Sequence, residues 1–308
     1  MFRIILFFFA AIILFSGCGS NENNITISGA FALYPLAVKW RKEYKKLHPA
    51  IRIDIVAGGA GKGMADALSE NMDLGMVSRD INLEEKKKGA YEIAVTKDAV
   101  LPTCNANNPA IKTILQKGLT KEDFQNIYLT SKYKTWGDVL KNGDKDPVLV
   151  YTRADAAGAP ESWAKYLGKK QEDLLGIGIF GDPGIAEAVK KDIFSIGFNN
   201  LTYVFDQHTK KTYPGIKVLP IDINSNGQID PDENFYENFD SLKANIINGK
   251  YPSPPARPLY FVSHGKPKDK NVKGFLKWVL TDGQKYVEEA GFIKLSDEIL
   301  KEQLKKIE

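Results

Sequence analysis

The segment Val150-Tyr-Thr-Arg-Ala-Asp-Ala-Ala-Gly-Ala-Pro-Glu-Ser-Trp-Ala-Lys-Tyr166 places a cation, Arg153, just ahead of the small residues Ala157, Gly158 and Ala159, and a helical pattern follows. A small-residue loop that opens a helix turns unpaired backbone N–H groups outward, and these make a ready seat for an anion. Hydroxyl side chains would strengthen such a seat, yet alanines stand at 156, 157 and 159. Two other stretches share the design of strand, small-residue loop and helix. One spans residues 28–33 and includes Ala30, Phe31 and Ala32; the other spans 56–64 and includes Gly59, Ala60 and Gly61. A fourth strand pattern ends in Ser78-Arg79. In open α/β sheets ligands sit outside the carboxyl ends of the strands, so four such ends point to one binding cleft. The plainer alternative is that Gly-Ala loops make tight turns. The 58–63 loop lacks the spacing and the Ser/Thr of a nucleotide-binding P-loop.

The elements that must position these loops follow from periodicity. Residues 25–28, 51–56, 73–77 and 95–101 read as strands, and residues 33–47 and 64–70 as helices. In a second unit, 148–151, 196–198 and 216–221 read as strands, and 120–128, 136–140, 161–167 and 185–191 as helices. Val272, Phe275, Leu276, Val279 and Leu280 form a helical stripe, and Ser296 caps a last helix. The alternation predicts an α/β fold with largely parallel pairing.

The chain has 308 residues, 43% of them hydrophobic and 26% charged, which suits a folded protein of two domains. Its net charge of +4 is small and dispersed, and no basic stripe marks a nucleic-acid partner. At the N-terminus, Met1-Phe-Arg3 and an apolar run over 4–15 lead to Leu14-Phe-Ser-Gly-Cys18. The run is short for a membrane span. This pattern resembles a bacterial lipobox, which predicts lipidation of Cys18, export, and anchoring to a membrane surface by a polar tether ending at residue 24. Cys104 then has no disulfide partner and reads as a small buried residue. His48, His208 and His264 lie in no catalytic motif, and nothing in the sequence supports nucleophilic or zinc catalysis.

Residues 222–233, Asp-Ile-Asn-Ser-Asn-Gly-Gln-Ile-Asp-Pro-Asp-Glu, fit a twelve-residue calcium loop. Asp222, Asn224, Asn226, Gln228, Asp230 and Glu233 fall at the six ligand positions, and Gly227 falls at the turn. A strand precedes the loop and a helix over 235–247 follows, so the expected Ca2+ site is EF-hand-like and structural. The alternative is a metal-free Asn/Asp/Gly hairpin.

The stretches "ISGAFALYPLAVKW", "AGGAGKGMADAL", "DLGMVSRDI", "YTRADAAGAPESW", "SIGFNN" and "GKYPSPPARPLYFVS" together resemble the phosphate-binding solute receptors of bacterial ABC importers, from about residue 25 onward. The resemblance implies a two-lobed type II periplasmic-binding fold with the ligand between the lobes. Lobe 1 would comprise 25–98 plus 259–308 and lobe 2 residues 99–258, with crossings near 96–102 and 257–261. The family's ligand positions fall on Ala30/Phe31, Ala60, Arg153, Ala157, Gly158 and Ala159. Arg153 and the glycines are kept and the hydroxyls are gone. By the same resemblance Asp155 orients Arg153 through a bidentate pair, with Ser78 and Arg79 as further donors. Each lost hydrogen bond to a charged acceptor is worth roughly 1–3 kcal/mol. Two readings stay open: phosphate or a related oxyanion held by backbone and arginine for an ABC permease, or a remodelled receptor or sensor for a different ligand.

Overall fold

The computed structural model describes residues 23–308; Cys18 and the rest of the leader lie outside them. Nine strands form one sheet: β1 (Asn24–Gly29), β2 (Arg52–Ala57), β3 (Leu74–Val77), β4 (Ala90–Asn105), β5 (Leu149–Arg153), β6 (Ile177–Ile179), β7 (Ser195–Asn200), β8 (Ile216–Val218) and β9 (Ala256–His264). The order is β2-β1-β3-β9-β4-β7-β5-β6, with β8 also paired to β4. Pairing is mixed rather than largely parallel. β1 pairs parallel with β2 and β3, and β5 with β6 and β7. Everything joined to β4 or β9 is antiparallel. Strand–helix alternation reports the crossover units at the two ends of the sheet but not the two long strands between them.

Two hydrophobic cores lie along this sheet. One gathers Ile25, Ile27, Trp40, Met76, Ile93 and Val95 with Leu259, Phe261, Phe275 and Leu276. The other gathers Val100, Leu101 and Cys104 with Phe124, Trp136, Trp163, Ile196 and Phe198. β4 contributes to both, and so does β9, through Ala256 to the second and Leu259 onward to the first. The molecule is thus a two-lobed α/β protein whose lobes are joined by two paired strands. Cys104 is fully buried, and burial pushes its thiol up to about 12.

Helices begin earlier at two loops than periodicity places them. The first helix of a βαβ unit runs over Ala60–Leu68, not from 64, and another over Gly158–Tyr166, not from 161. Small residues hide the first turn from a hydrophobic pattern, since they carry no apolar side chain to count. Conversely, the helix after the 222–233 loop starts at Phe239, where Asn238 accepts the Ser241 N–H, and β8 stops at Val218. β6 and the Ile111–Lys117 helix were not expected.

Backbone approach around three glycines sets the first lobe. A Cβ on Gly63 would stand 2.9 Å from the Gly29 Cα, and one on Gly75 would fall inside the Gly63 carbonyl. The Ala60–Leu68 helix therefore rests directly on β1 and β3. Gly75→Ala is expected to destabilise the fold by about 2–3 kcal/mol, the cost of overpacking against backbone that cannot yield, read as a lower thermal unfolding midpoint.

Candidate functional site

The loops after β1, β2, β3 and β5 meet in one place. Ala30 donates to the Met76 carbonyl (2.8 Å), and Gly58 and Gly59 donate to Gly29 (2.9 and 3.1 Å), which stitches the first-lobe loops together. Gly61 N–H then crosses to the Ala156 carbonyl of the second lobe at 3.1 Å. Gly59, at φ 89°, lies so close to Asp155 that a Cβ would stand 2.9 Å from Oδ2. Gly158 abuts Ser78 closely enough that no side chain fits there. Ala60, Ala157 and Ala159 are buried, as are Ala30 and Ala32. The alanines and glycines thus serve close contact between lobes, and the Ala157 N–H is taken by Gln171 Oε1 at 3.1 Å.

Arg153 lies at the centre and is buried. Asp155 receives its Nε and Nη2 (2.8 and 2.5 Å), which is the two-pronged geometry. Its Nη1 reaches Asp182 at 2.6 Å, a partner that sequence reading missed. Burial works against the guanidinium's charge, but Asp182 and Asp155 outweigh it and raise its pKa. Burial likewise works against the Asp155 carboxylate, and Arg153 overcomes it to hold that carboxyl below the usual range. Asp182 accepts in turn from Asn200 (2.5 Å), and Arg257 donates to Asn200 and to the Ser78 carbonyl (3.1 Å). Arg257 Nη1 faces Asp98 Oδ2 at 3.4 Å, and neither atom has a hydrogen-bond partner. Asn200 and Arg257 sit in motifs quoted above, but only the fold shows them joined to Asp182.

Arg79 is matched in the same way. Glu85 takes its Nη1 and Nη2 (2.9 and 2.6 Å), and Glu161 of the second lobe faces its Nε at 3.0 Å. Lys165 pairs with Asp80 across the same gap. Burial, with Glu85 and Asp80 adding to it against Arg79, raises the Glu161 pKa. Each of Arg153 and Arg79 therefore faces two carboxylates. Phe31 lies over Arg153, its ring centroid 5.7 Å from the guanidinium carbon. Arg79, Glu161 and Lys165 line two cavities. One of about 220 Å³ is bounded by Ser253, Pro254 and Arg257; the other, of about 700 Å³, by Gly61, Ala156, Ala157 and Lys170.

The 222–233 loop folds back on itself through Ser225 and Gly227, both at positive φ. Gly227 N–H donates to Asp222 (2.8 Å), the side-chain amides of Asn224 and Asn226 to Asp230 (2.9 and 2.8 Å), and the Ile223 N–H to Glu233 (2.9 Å). The amides of Asn224, Asn226 and Gln228 thus turn to Asp230, while Asp222 and Glu233 are taken up by backbone N–H groups of the loop. Their oxygens suit a hard cation, though Asn224 and Asn226 would have to present oxygen where they now present nitrogen. Among the described residues, no group of three or more His, Cys, Asp and Glu side chains is placed to hold a metal ion.

The PBP superfamily domain model matches residues 17–283, and the chain belongs to that family. It is 26% identical over 298 residues to the phosphate-binding protein PstS of Staphylococcus saprophyticus, covering 94% of this chain and 86% of that one. It is 27% identical to the PstS of Pseudomonas aeruginosa, covering 93% and 87%. In fold it is similar to a phosphate ABC transporter substrate-binding protein from Clostridium perfringens, with a TM-score of 0.72 and 24% identity over 89% of this chain and 100% of the other. A phosphate transport receptor from Vibrio cholerae superposes with a TM-score of 0.64 and 18% identity over 88% and 100%. The names of these relatives are those of binding and transport proteins, which agrees with the motif resemblance.

Asp98 is fully buried, and burial, with Asp182 adding to it against Arg257, raises its carboxyl to about 6. The folded protein then holds a proton that the unfolded chain has released, so this stabilisation is present at low pH and lost as pH rises from about 4 through about 6. Asp98→Asn lacks it. Melting curves across that range should show the variant gaining on the wild type with rising pH, by about 3 kcal/mol, and holding that gain above the range.

Proposed function

We propose that this protein is the extracytoplasmic receptor of an ABC importer and binds phosphate or a related oxyanion between its lobes. The observation that carries the reading is the meeting of four strand-end loops, drawn from both lobes, around Arg153 and its Asp155 pair. Backbone N–H groups from such loops, with a guanidinium, supply what an oxyanion needs. The names of the similar proteins support phosphate as the first ligand to test. The site residues in this reading are Ala30, Phe31, Ala32, Gly59, Ala60, Gly61, Ser78, Arg79, Arg153, Asp155, Ala157, Gly158 and Ala159. Lobe closure presents the filled form to a permease. Anchoring is by lipid on Cys18, and among the described residues no helix is long and apolar enough to cross a membrane. The reading is of a binder and not an enzyme, one that returns its ligand unchanged.

One observation favours a second reading, a receptor or sensor for a ligand other than phosphate. Arg153 and Arg79 each already face two carboxylates, which leaves little net positive charge for a dianion. Calorimetric titration of the full-length protein decides between them. Phosphate is expected to give saturable heat that weakens at least about tenfold in Arg153→Lys, which keeps the charge and loses the fork. No heat from a folded protein refutes the phosphate reading.

Ca2+ in the 222–233 loop is the proposed structural cofactor, supported by the fall of Asp222, Asn224, Asn226, Gln228, Asp230 and Glu233 at the six ligand positions of a twelve-residue calcium loop. Added Ca2+ should raise the thermal midpoint relative to chelator, in proportion to the logarithm of its concentration, and Glu233→Gln should abolish that rise.

A further inference from the structure

We infer that Phe31 occupies the anion seat at Arg153 and sets the protein's selectivity against bare orthophosphate; the inference rests on the anion-binding reading above. The ring belongs to the first-lobe loop, yet what holds it comes from the second lobe. The guanidinium carbon of Arg153 lies 5.7 Å from its centroid, and Phe180 meets it edge-on at 5.6 Å and 88°. Gly181 lies beneath it, where a Cβ would stand 3.3 Å from the ring, so this glycine leaves room for the phenyl group. Tyr203 Oη donates to the Phe31 carbonyl at 3.0 Å and fixes the backbone from which the ring projects.

The guanidinium has five N–H donors, and three are spent on Asp155 and Asp182. An arriving anion needs the others and the space beside them. Neither cleft cavity at Arg79 is lined by Arg153 or Phe31. A ligand that engages Arg153 from the side of the ring must displace it, break its contact with the cation and separate it from Phe180. A small hydrated anion brings no apolar surface to replace those contacts. Phe31 is thus a specificity-determining residue that weakens phosphate binding in the wild type.

The test is calorimetric titration of full-length wild type, Phe31→Ala and Phe31→Leu with inorganic phosphate, with melting curves to establish folding. Phe31→Ala should bind phosphate at least about tenfold more tightly than the wild type, and Phe31→Leu, which keeps bulk without the aromatic face, by a smaller factor of about threefold. If Phe31→Ala does not fold, Phe31→Leu decides, and a gain below that factor overturns the inference. Saturable binding by the wild type that is equal to or tighter than that of the folded variants overturns the inference alone and makes Phe31 a wall of the ligand site. No saturable binding by any of the three folded proteins overturns the inference together with the anion reading. A wild type that binds weakly beside a Phe31→Ala that binds at least about tenfold more tightly supports the inference and the phosphate reading together; a wild type that gives no heat beside a Phe31→Ala that binds supports the inference and refutes phosphate as the ligand of the wild type.

Discussion

A buried guanidinium held by two carboxylates is the interaction on which the rest of the cleft depends. Arg153 is always charged and cannot stay buried in that position without Asp155 and Asp182, because an uncompensated buried charge costs several kcal/mol. Those partners come from separate elements, the loop after β5 and the start of the Gly181–Lys191 helix. Asp182 then passes the requirement to Asn200 on β7, Asn200 to Arg257 on β9, and Arg257 to the Ser78 carbonyl just past β3. One polar chain therefore fixes how four strands and a helix stand against each other. It also explains why the loops carry alanine and glycine. Where backbone packs on backbone, as at Gly61 with Ala156 and Gly158 with Ser78, side chains have no room.

The same chain shows what the sequence made legible. The loops were readable because small residues between a strand pattern and a helix pattern have few other uses, and Arg153 with Asp155 was readable because two residues on one loop need no fold to bring them together. Asp182 is 29 positions from Arg153 and Arg257 lies 57 from Asn200. Their meeting is a property of strand order, which a local pattern does not contain. Glu85 and Glu161 were missed because on sequence each reads as an ordinary acid near a helix start; Glu85 is brought to Arg79 by the local turn into the Leu83–Lys87 helix, and Glu161 only by the approach of the other lobe.

At the level of fold, the α/β alternation gave the class but misjudged the pairing, because β4 and β9 run antiparallel through the middle of a sheet whose ends are parallel. Phe31 was legible as a departure from hydroxyl chemistry, while its contact with Arg153 and Phe180 depends on rings from different lobes coming together.

The strand pair that joins the lobes has a mechanical meaning. β4 and β9 are hydrogen-bonded from Ala90↔His264 to Ala99↔Ala256, with one register shift between Ala94 and Thr96. Beside that shift, Lys97 exchanges backbone hydrogen bonds with Ile293, and Thr96 Oγ1 donates to the same residue. A continuous two-stranded ribbon resists sliding and swivelling but bends most readily where its ladder is interrupted. The lobes thus share a leaf spring clamped near its weak point by the C-terminal segment. That brace stands at the one interruption of the ribbon that joins the lobes, held by a segment that is no part of the ligand loops.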